Sequence, residues 1–172
     1  MLLETQRLHI RYIKESDWLS IKKIWEDISH SQYAQYDRPH STEDEDVRTK
    51  MAQWEEANMS IDHFFFAVCL QDTVIGYIAF NKRPDSYEIG YGFHSDYFGM
   101  GYAKESHLAL FEYMKTQGIK KITAGTALKN TPSVNLLNSL GFQQAGEEKL
   151  SFYKDADGRD IVFDGGIFEL NL

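Results

Sequence analysis

The stretch Tyr97-Phe98-Gly99-Met100-Gly101-Tyr102-Ala103 is where this chain has the means to hold an anion. It follows an alternating run that ends at Phe93 and precedes an amphipathic stretch over 102–117, so it stands at a helix entry. Gly99 and Gly101 allow the backbone to turn sharply there. The first turn of a helix leaves unpaired N–H groups converging on one point, and the helix dipole adds partial positive charge. A phosphate or pyrophosphate is the natural occupant. No Gly-Lys-Ser/Thr follows, so this is not a Walker loop, and the full dinucleotide fingerprint is missing.

Other reactive groups point elsewhere. Cys69 is the only cysteine; it forms no intrachain disulfide and reads as a buried strand residue in FFFAVCL. The sequence DADGRD at 155–160 lacks the full ligand series and closing Glu of a calcium loop. The acidic run at 43–46 follows Ser41 at capping-box spacing and suits a helix first turn, so no metal site is expected. His107 is expected at the surface or flank of its helix.

The elements that must position the loop are legible in order. Residues 8–13 alternate as a strand, and Trp18, Ile21, Ile24, Trp25 and Ile28 recur at helical spacing, with Ser16 or Asp17 as cap. Residues 30–40 form an aromatic loop, in which Tyr33 and Tyr36 either cover the core edge or line a site. Val47, Met51 and Trp54 mark the inner face of a second helix. Runs at 63–70, 73–80 and 87–93, joined by short turns, imply an antiparallel meander whose first strand is covered on both faces. After the long helix, Gly118 is a stop and 119–126 a strand; this β-α-β order implies a parallel pair. Thr131-Pro132 opens a short helix that Gly141 ends, and the chain closes with a hairpin turning at 154–159. Gly165-Gly166 suggests a bulge in the last strand.

The 172 residues fit one domain, 1–172, with 42% apolar and 14% aromatic residues to build a core. A net charge of −8 disfavours nucleic-acid and anionic-membrane partners and is compatible with a cationic substrate. The opening MLLETQRLHIRY is charged too early for a signal peptide, and no apolar run approaches a membrane helix. A soluble, cytoplasmic protein is expected.

The order of parts resembles the GNAT N-acetyltransferases over nearly the whole chain. TQRLHIRYI, EIGYGF, YFGMGYAKES and NTPSVNLLNSLGF are similar to the ribosomal-protein N-terminal acetyltransferase (RimJ/RimL-like) branch. In the family's loop pattern, Gln/Arg-x-x-Gly-x-Gly/Ala, Gly101 and Ala103 match, and Phe98 takes the Gln/Arg position. The resemblance implies an α+β fold: a mixed, mostly antiparallel sheet of about seven strands with about four helices. It also implies a splay in which 91–93 part from 122–126. Acetyl-CoA is then the cosubstrate, with no metal. Its arm would lie along Tyr91, Gly92 and Phe93, and its pyrophosphate against the backbone of Phe98, Gly99, Met100, Gly101, Tyr102 and Ala103. Asn130 would contact it near the reacting end. Ser133 would protonate the departing thiolate, since no tyrosine lies between 129 and 142; if Ser133 only caps its helix, solvent is the acid. Glu88 is either the base or a solvated strand charge.

The acceptor implied is a primary amine, on a small molecule or a peptide N-terminus, entering between the first helix pair and the terminal hairpin. Tyr33, Tyr36, Asp37 and Tyr153 are the candidate lining. A homodimer is compatible with the exposed hairpin. A non-catalytic acyl-CoA-binding sensor or scaffold is the alternative, and an unrelated phosphate-ligand binder the third reading.

Overall fold

Apolar residues that alternate to both sides of the strand His63–Leu70 set the layering of the molecule. In the computed structural model, which describes residues 2–172, Phe64, Phe66 and Val68 enter one core and Phe65, Ala67 and Cys69 another. This strand therefore lies inside a sheet covered on both faces, as its unbroken apolar run requires.

The sheet has eight strands: β1 (Leu2–Glu4), β2 (Leu8–Tyr12), β3 (His63–Leu70), β4 (Thr73–Lys82), β5 (Tyr87–Phe93), β6 (Lys121–Ala127), β7 (Gln143–Leu150) and β8 (Phe163–Asn171). Their spatial order is β1-β2-β3-β4-β5-β6-β8-β7, and only β5 and β6 run parallel. This is the α+β, mostly antiparallel architecture expected, with the short edge strand β1 as an addition. Helices α1 (Trp18–Ser29) and α2 (Asp44–Ala57) cover one face through Ile21, Ile24, Trp25, Val47, Met51 and Trp54. Helices α3 (Tyr102–Thr116) and α4 (Thr131–Ser139) cover the other, where Leu110, Phe111, Met114 and Leu137 meet Phe66, Ile78, Phe80 and Ile122.

Four local expectations are corrected. His107 is not at the surface of α3; it is fully buried. Gly165 and Gly166 stay in register with both neighbours, and the irregularity falls on the partner strand between Gln144 and Gly146. The two glycines answer to packing: a Cβ at Gly165 would stand 2.7 Å from Leu150, and one at Gly166 2.7 Å from Leu128 and from Phe168. Asp17 does not cap α1, because its carboxylate takes both Arg11 guanidinium nitrogens at 2.7 Å and the Lys14 amide at 2.8 Å. Ser41 forms no capping box either; its hydroxyl donates to Asp46, and α2 starts after Glu43.

Candidate active site

The site begins where two strands part. β5 and β6 pair at Tyr87–Ile122, Glu88–Thr123 and Ile89–Ala124 and no further, while each keeps its outer partner to its end. Beyond Ile89 a slot opens in the sheet. His94 donates its amide to Ile75, which fixes the phase of the β4–β5 ladder: Gly90 and Gly92 bond toward β4. The N–H and C=O of Tyr91 and Phe93 therefore face the slot with no strand to receive them.

The Gly-rich loop closes one end of the slot. Gly99 and Gly101 have φ of 74° and 80°, the left-handed conformation that side chains resist, and Gly101 is the residue preceding α3. The amides of residues 99–103 donate to no acceptor among the described residues. Phe98 and Met100 turn their side chains outward, 58% and 51% exposed, so the loop offers its backbone rather than its side chains.

A clamp from the start of the chain holds this loop. Arg7 donates through Nη1 to the Met100 carbonyl at 2.9 Å and through Nε to Glu105 Oε2 at 2.7 Å. Its guanidinium lies 4.5 Å from the Tyr102 ring centre. Thr5 donates its hydroxyl to the other Glu105 oxygen at 2.6 Å. Burial alone would raise the Glu105 carboxyl, but these donors outweigh it and hold the group below the usual carboxylate range. On the opposite side, Asp27 of α1 accepts the amide and the hydroxyl of Ser95, both at 2.7 Å.

Within the slot, the structure brings together Tyr91, Asn130 and Ser133. Asn130 caps α4 by accepting the Ser133 amide at 3.4 Å, which leaves the Asn130 NH2 group free of that bond. The Ser133 hydroxyl lies 2.8 Å from the Tyr91 hydroxyl, across the opened strands. A tyrosine hydroxyl, absent from the α4 sequence, thus stands beside Ser133 from β5. Burial pushes the Tyr91 phenol up to about 12, so it is neutral and holds its proton at pH 7. Tyr91 rests edge-on against His107, with ring centres 4.8 Å apart. His107 Nδ1 lies 2.6 Å from the Ala103 carbonyl and donates to it, while Nε2 is buried without a partner among the described residues. Burial lowers this imidazole to about 4, so it buttresses Tyr91 in its neutral form.

Glu88 is not part of this group. It sits where β5 is still paired on both sides, and Arg83 binds its carboxylate through Nε at 2.8 Å and through Nη2. It lies about 10 Å along the strand from Tyr91, at roughly 3.3 Å per residue, and on the opposite face.

The acceptor candidates lie on the α1–α2 loop and in the hairpin tip. Tyr36 ends a short turn, Ala34–Tyr36, and packs edge-on against Phe163 with ring centres 5.2 Å apart. Asp37 is half-buried. Tyr153 follows Phe152 in the irregular tip of the hairpin, outside any strand, so the irregular stretch begins before the turn expected at 154–159. Tyr33 is half-buried; its amide donates to the Ser31 hydroxyl and its carbonyl accepts the Tyr36 amide. Among the described residues no group of His, Cys, Asp and Glu could hold a metal ion, and no helix is long and apolar enough to cross a membrane.

The family model described as acetyltransferase (GNAT) domain matches residues 7–143. The chain is similar to the uncharacterized N-acetyltransferase p20 of Bacillus licheniformis, at 30% identity over 165 residues, 92% of this chain and 90% of that protein. Its structure is similar to that of an acetyltransferase (GNAT family) from Bacillus anthracis, at 27% identity and a TM-score of 0.78, covering 99% of this chain and 98% of that one. RimL, the ribosomal L7/L12 alpha-N-protein acetyltransferase in complex with coenzyme A, has the same fold, with a TM-score of 0.85, 16% identity, and coverage of 100% and 98%.

Proposed function

This chain belongs to the GNAT acetyltransferase family, and we propose that it transfers an acetyl group from acetyl-CoA directly to a primary amine, on a peptide N-terminus or a small molecule. The observation that carries this reading is the slot between β5 and β6, with free backbone donors at one end and the Tyr91–Ser133 pair within it. The peptide arm of the proposal draws on the RimL fold, whose bearer acts on a ribosomal protein.

The residues present fit acetyl-CoA. The amides of Gly99 to Ala103 would take the pyrophosphate, with the N-terminal dipole of α3 behind them. The exposed edge of Tyr91 and Phe93 would bond the pantetheine amides as a missing strand would. Bound there, acetyl-CoA supplies an activated thioester. The Phe93 amide, aimed into the slot, is the donor for the thioester oxygen as it gains charge. Ser133 gives a proton to the leaving sulfur, and the neutral Tyr91 hydroxyl beside it replaces that proton.

Calorimetry with acetyl-CoA and CoA, followed by thiol release with peptides bearing free N-termini and with spermidine, tests the proposal. Binding with release on addition of an amine is expected. Binding without release to any amine would make the chain an acyl-CoA sensor; no binding would remove the cofactor slot altogether.

A further inference from the structure

With Glu88 held by Arg83 away from the slot, the acceptor's proton needs another destination, and the α1–α2 loop presents one. Leaving the turn Ala34–Tyr36, the chain is extended at Asp37, with φ −113° and ψ 151°. Successive side chains of extended backbone point to opposite sides. Tyr36 is engaged with Phe163, and the Arg38 guanidinium lies 5.4 Å from the Phe152 ring centre. Arg38 is therefore directed at the hairpin tip, and Asp37, the extended residue before it, faces away from that tip. Farther on, His40 stacks on Trp25 with centres 4.4 Å apart, and Trp25 Nε1 donates to the Tyr77 hydroxyl at 3.3 Å. The loop is tied to the hairpin on one side and to α1 on the other, and Asp37 hangs between the two anchors.

The electrostatics agree with this placement. Burial raises the phenols of Tyr77 on β4, Tyr91 on β5 and Tyr153 on the hairpin tip, and the charge of Asp37 raises each of them further. One carboxylate is felt by hydroxyls from three separate elements, one of them the Tyr91 that bonds Ser133. Asp37 accepts one hydrogen bond, from its neighbour's amide, Arg38 N–H at 2.9 Å. Burial raises its carboxyl above the ordinary range against the opposing pull of His40 and that amide. His40 is itself pushed down by burial and by Lys50, although Asp37 pulls the other way.

The geometry points to Asp37 as the residue that docks the acceptor ammonium at the mouth of the slot and takes its proton as the nitrogen attacks. This rests on the acetyl-transfer reading. One N–H bond of the ammonium breaks and its proton passes to the Asp37 carboxylate; the freed lone pair forms the C–N bond to the acetyl carbon. The C–S bond breaks, the sulfur takes the proton of Ser133, and the second proton that the nitrogen sheds returns through Tyr91 to Ser133. An ammonium is the charge a half-buried lone carboxylate lacks, and a carboxylate drawn from water is a better base than one in it.

The test compares wild type, Asp37→Asn and Asp37→Glu with acetyl-CoA and two amines, spermidine and a short peptide with a free N-terminus. For Asp37→Asn, kcat/KM for the amine is expected to fall about 100-fold or more, with unchanged acetyl-CoA affinity by calorimetry. Wild-type kcat/KM should drop with acidification as Asp37 protonates, above the ordinary carboxylate range, and that limb should vanish in Asp37→Asn. Asp37→Glu should restore part of the rate. A wild-type rate in Asp37→Asn, or an equal loss of acetyl-CoA affinity, overturns the role of Asp37 and leaves acetyl transfer standing. A wild type that binds acetyl-CoA and acetylates neither amine overturns both.

Discussion

The two halves of the cleft are built on opposite principles. The cofactor half is backbone: loop amides, the open edge of β5 and a helix N-terminus, with Phe98 and Met100 turned to solvent. It is clamped by charge-assisted bonds from Thr5 and Arg7 to Glu105 and from Ser95 to Asp27. The acceptor half is side chain: Tyr36, Asp37, Arg38 and His40 held by aromatic contacts to Phe163, Phe152 and Trp25, beside a hairpin tip with the single bridge Lys154–Asp160. A backbone cradle recognises what every thioester of one carrier shares. Side chains on irregular segments can change without disturbing the sheet, so the acceptor is set there.

The largest effect expected from breaking this contrast is Gly101→Glu. A residue other than glycine at φ 80° costs roughly 1–2 kcal/mol, and a carboxylate would stand where the cradle takes negative charge. Calorimetry should show acetyl-CoA affinity reduced about 100-fold or more, taking strain and repulsion together. Phe98→Ala, at the position where the family pattern has Gln or Arg, should stay within about 3-fold because only its backbone is used, an effect below the threshold of a lost hydrogen bond. A large loss in Phe98→Ala would move the cradle from backbone to side chain.

Next in size are Tyr91→Phe and Ser133→Ala, which each break the 2.8 Å contact. Turnover should fall about 10- to 100-fold in each, toward the low end of what proton transfer supplies, with acetyl-CoA affinity nearly unchanged. The double variant should lose little more than either single one, because the two hydroxyls act as one relay. Unchanged turnover in both would hand the proton step to water.

The same contrast explains what the sequence could show. Glycines at 99, 101, 118 and 141, the Asn130-x-x-Ser133 spacing and three consecutive apolar runs joined by short turns are local signals, and each element stands close to where its signal puts it. The pairs that tune the site are not local. Arg7 and Glu105 lie 98 residues apart, and Tyr91 and Ser133 lie 42 apart. Their meeting is a product of strand order, which periodicity does not encode. His107 falls on the apolar stripe of α3, but its polar type obscured a burial that the Ala103 carbonyl makes tolerable. Glu88 has a plausible strand position, and nothing in its own type reveals that Arg83, five residues earlier, has claimed it. The acceptor half, resting on rings from α1, the hairpin tip and the start of β8, left only composition to read.

A smaller effect is expected at the clamp. Arg7→Ala and Glu105→Gln should each weaken acetyl-CoA binding about 5- to 10-fold by loosening the Met100 carbonyl and the start of α3, as loss of a charge-assisted bond does. The pair should couple by about 1 kcal/mol in a double-mutant cycle. The Glu105 carboxyl is depressed in the folded state, so its contribution is present above the unfolded value and is lost as pH falls through the folded one. Glu105→Gln should therefore flatten the acid end of the stability profile. The same substitution should leave the amine KM unchanged, since the clamp serves only the cofactor half; a raised amine KM would join the two halves into one unit.

His107 gives the finest probe, because it lies under Tyr91 and titrates in a different window. Its imidazole is lowered to about 4 by burial, whereas in the unfolded chain it takes a proton near 6.5. The folded state thus binds fewer protons between those values, and stability falls as pH drops through that window. Between pH 7 and 5.5 the loss from this one group amounts to about 1 kcal/mol. Thermal unfolding of His107→Leu across that range should show a shallower acid decline than the wild type by that amount. His40, lowered in the same direction, contributes equally to both proteins and cancels in the difference. Parallel declines would mean that the unpartnered Nε2 gains a proton acceptor on acidification, and the floor beneath Tyr91 would then be a polar site rather than an apolar support.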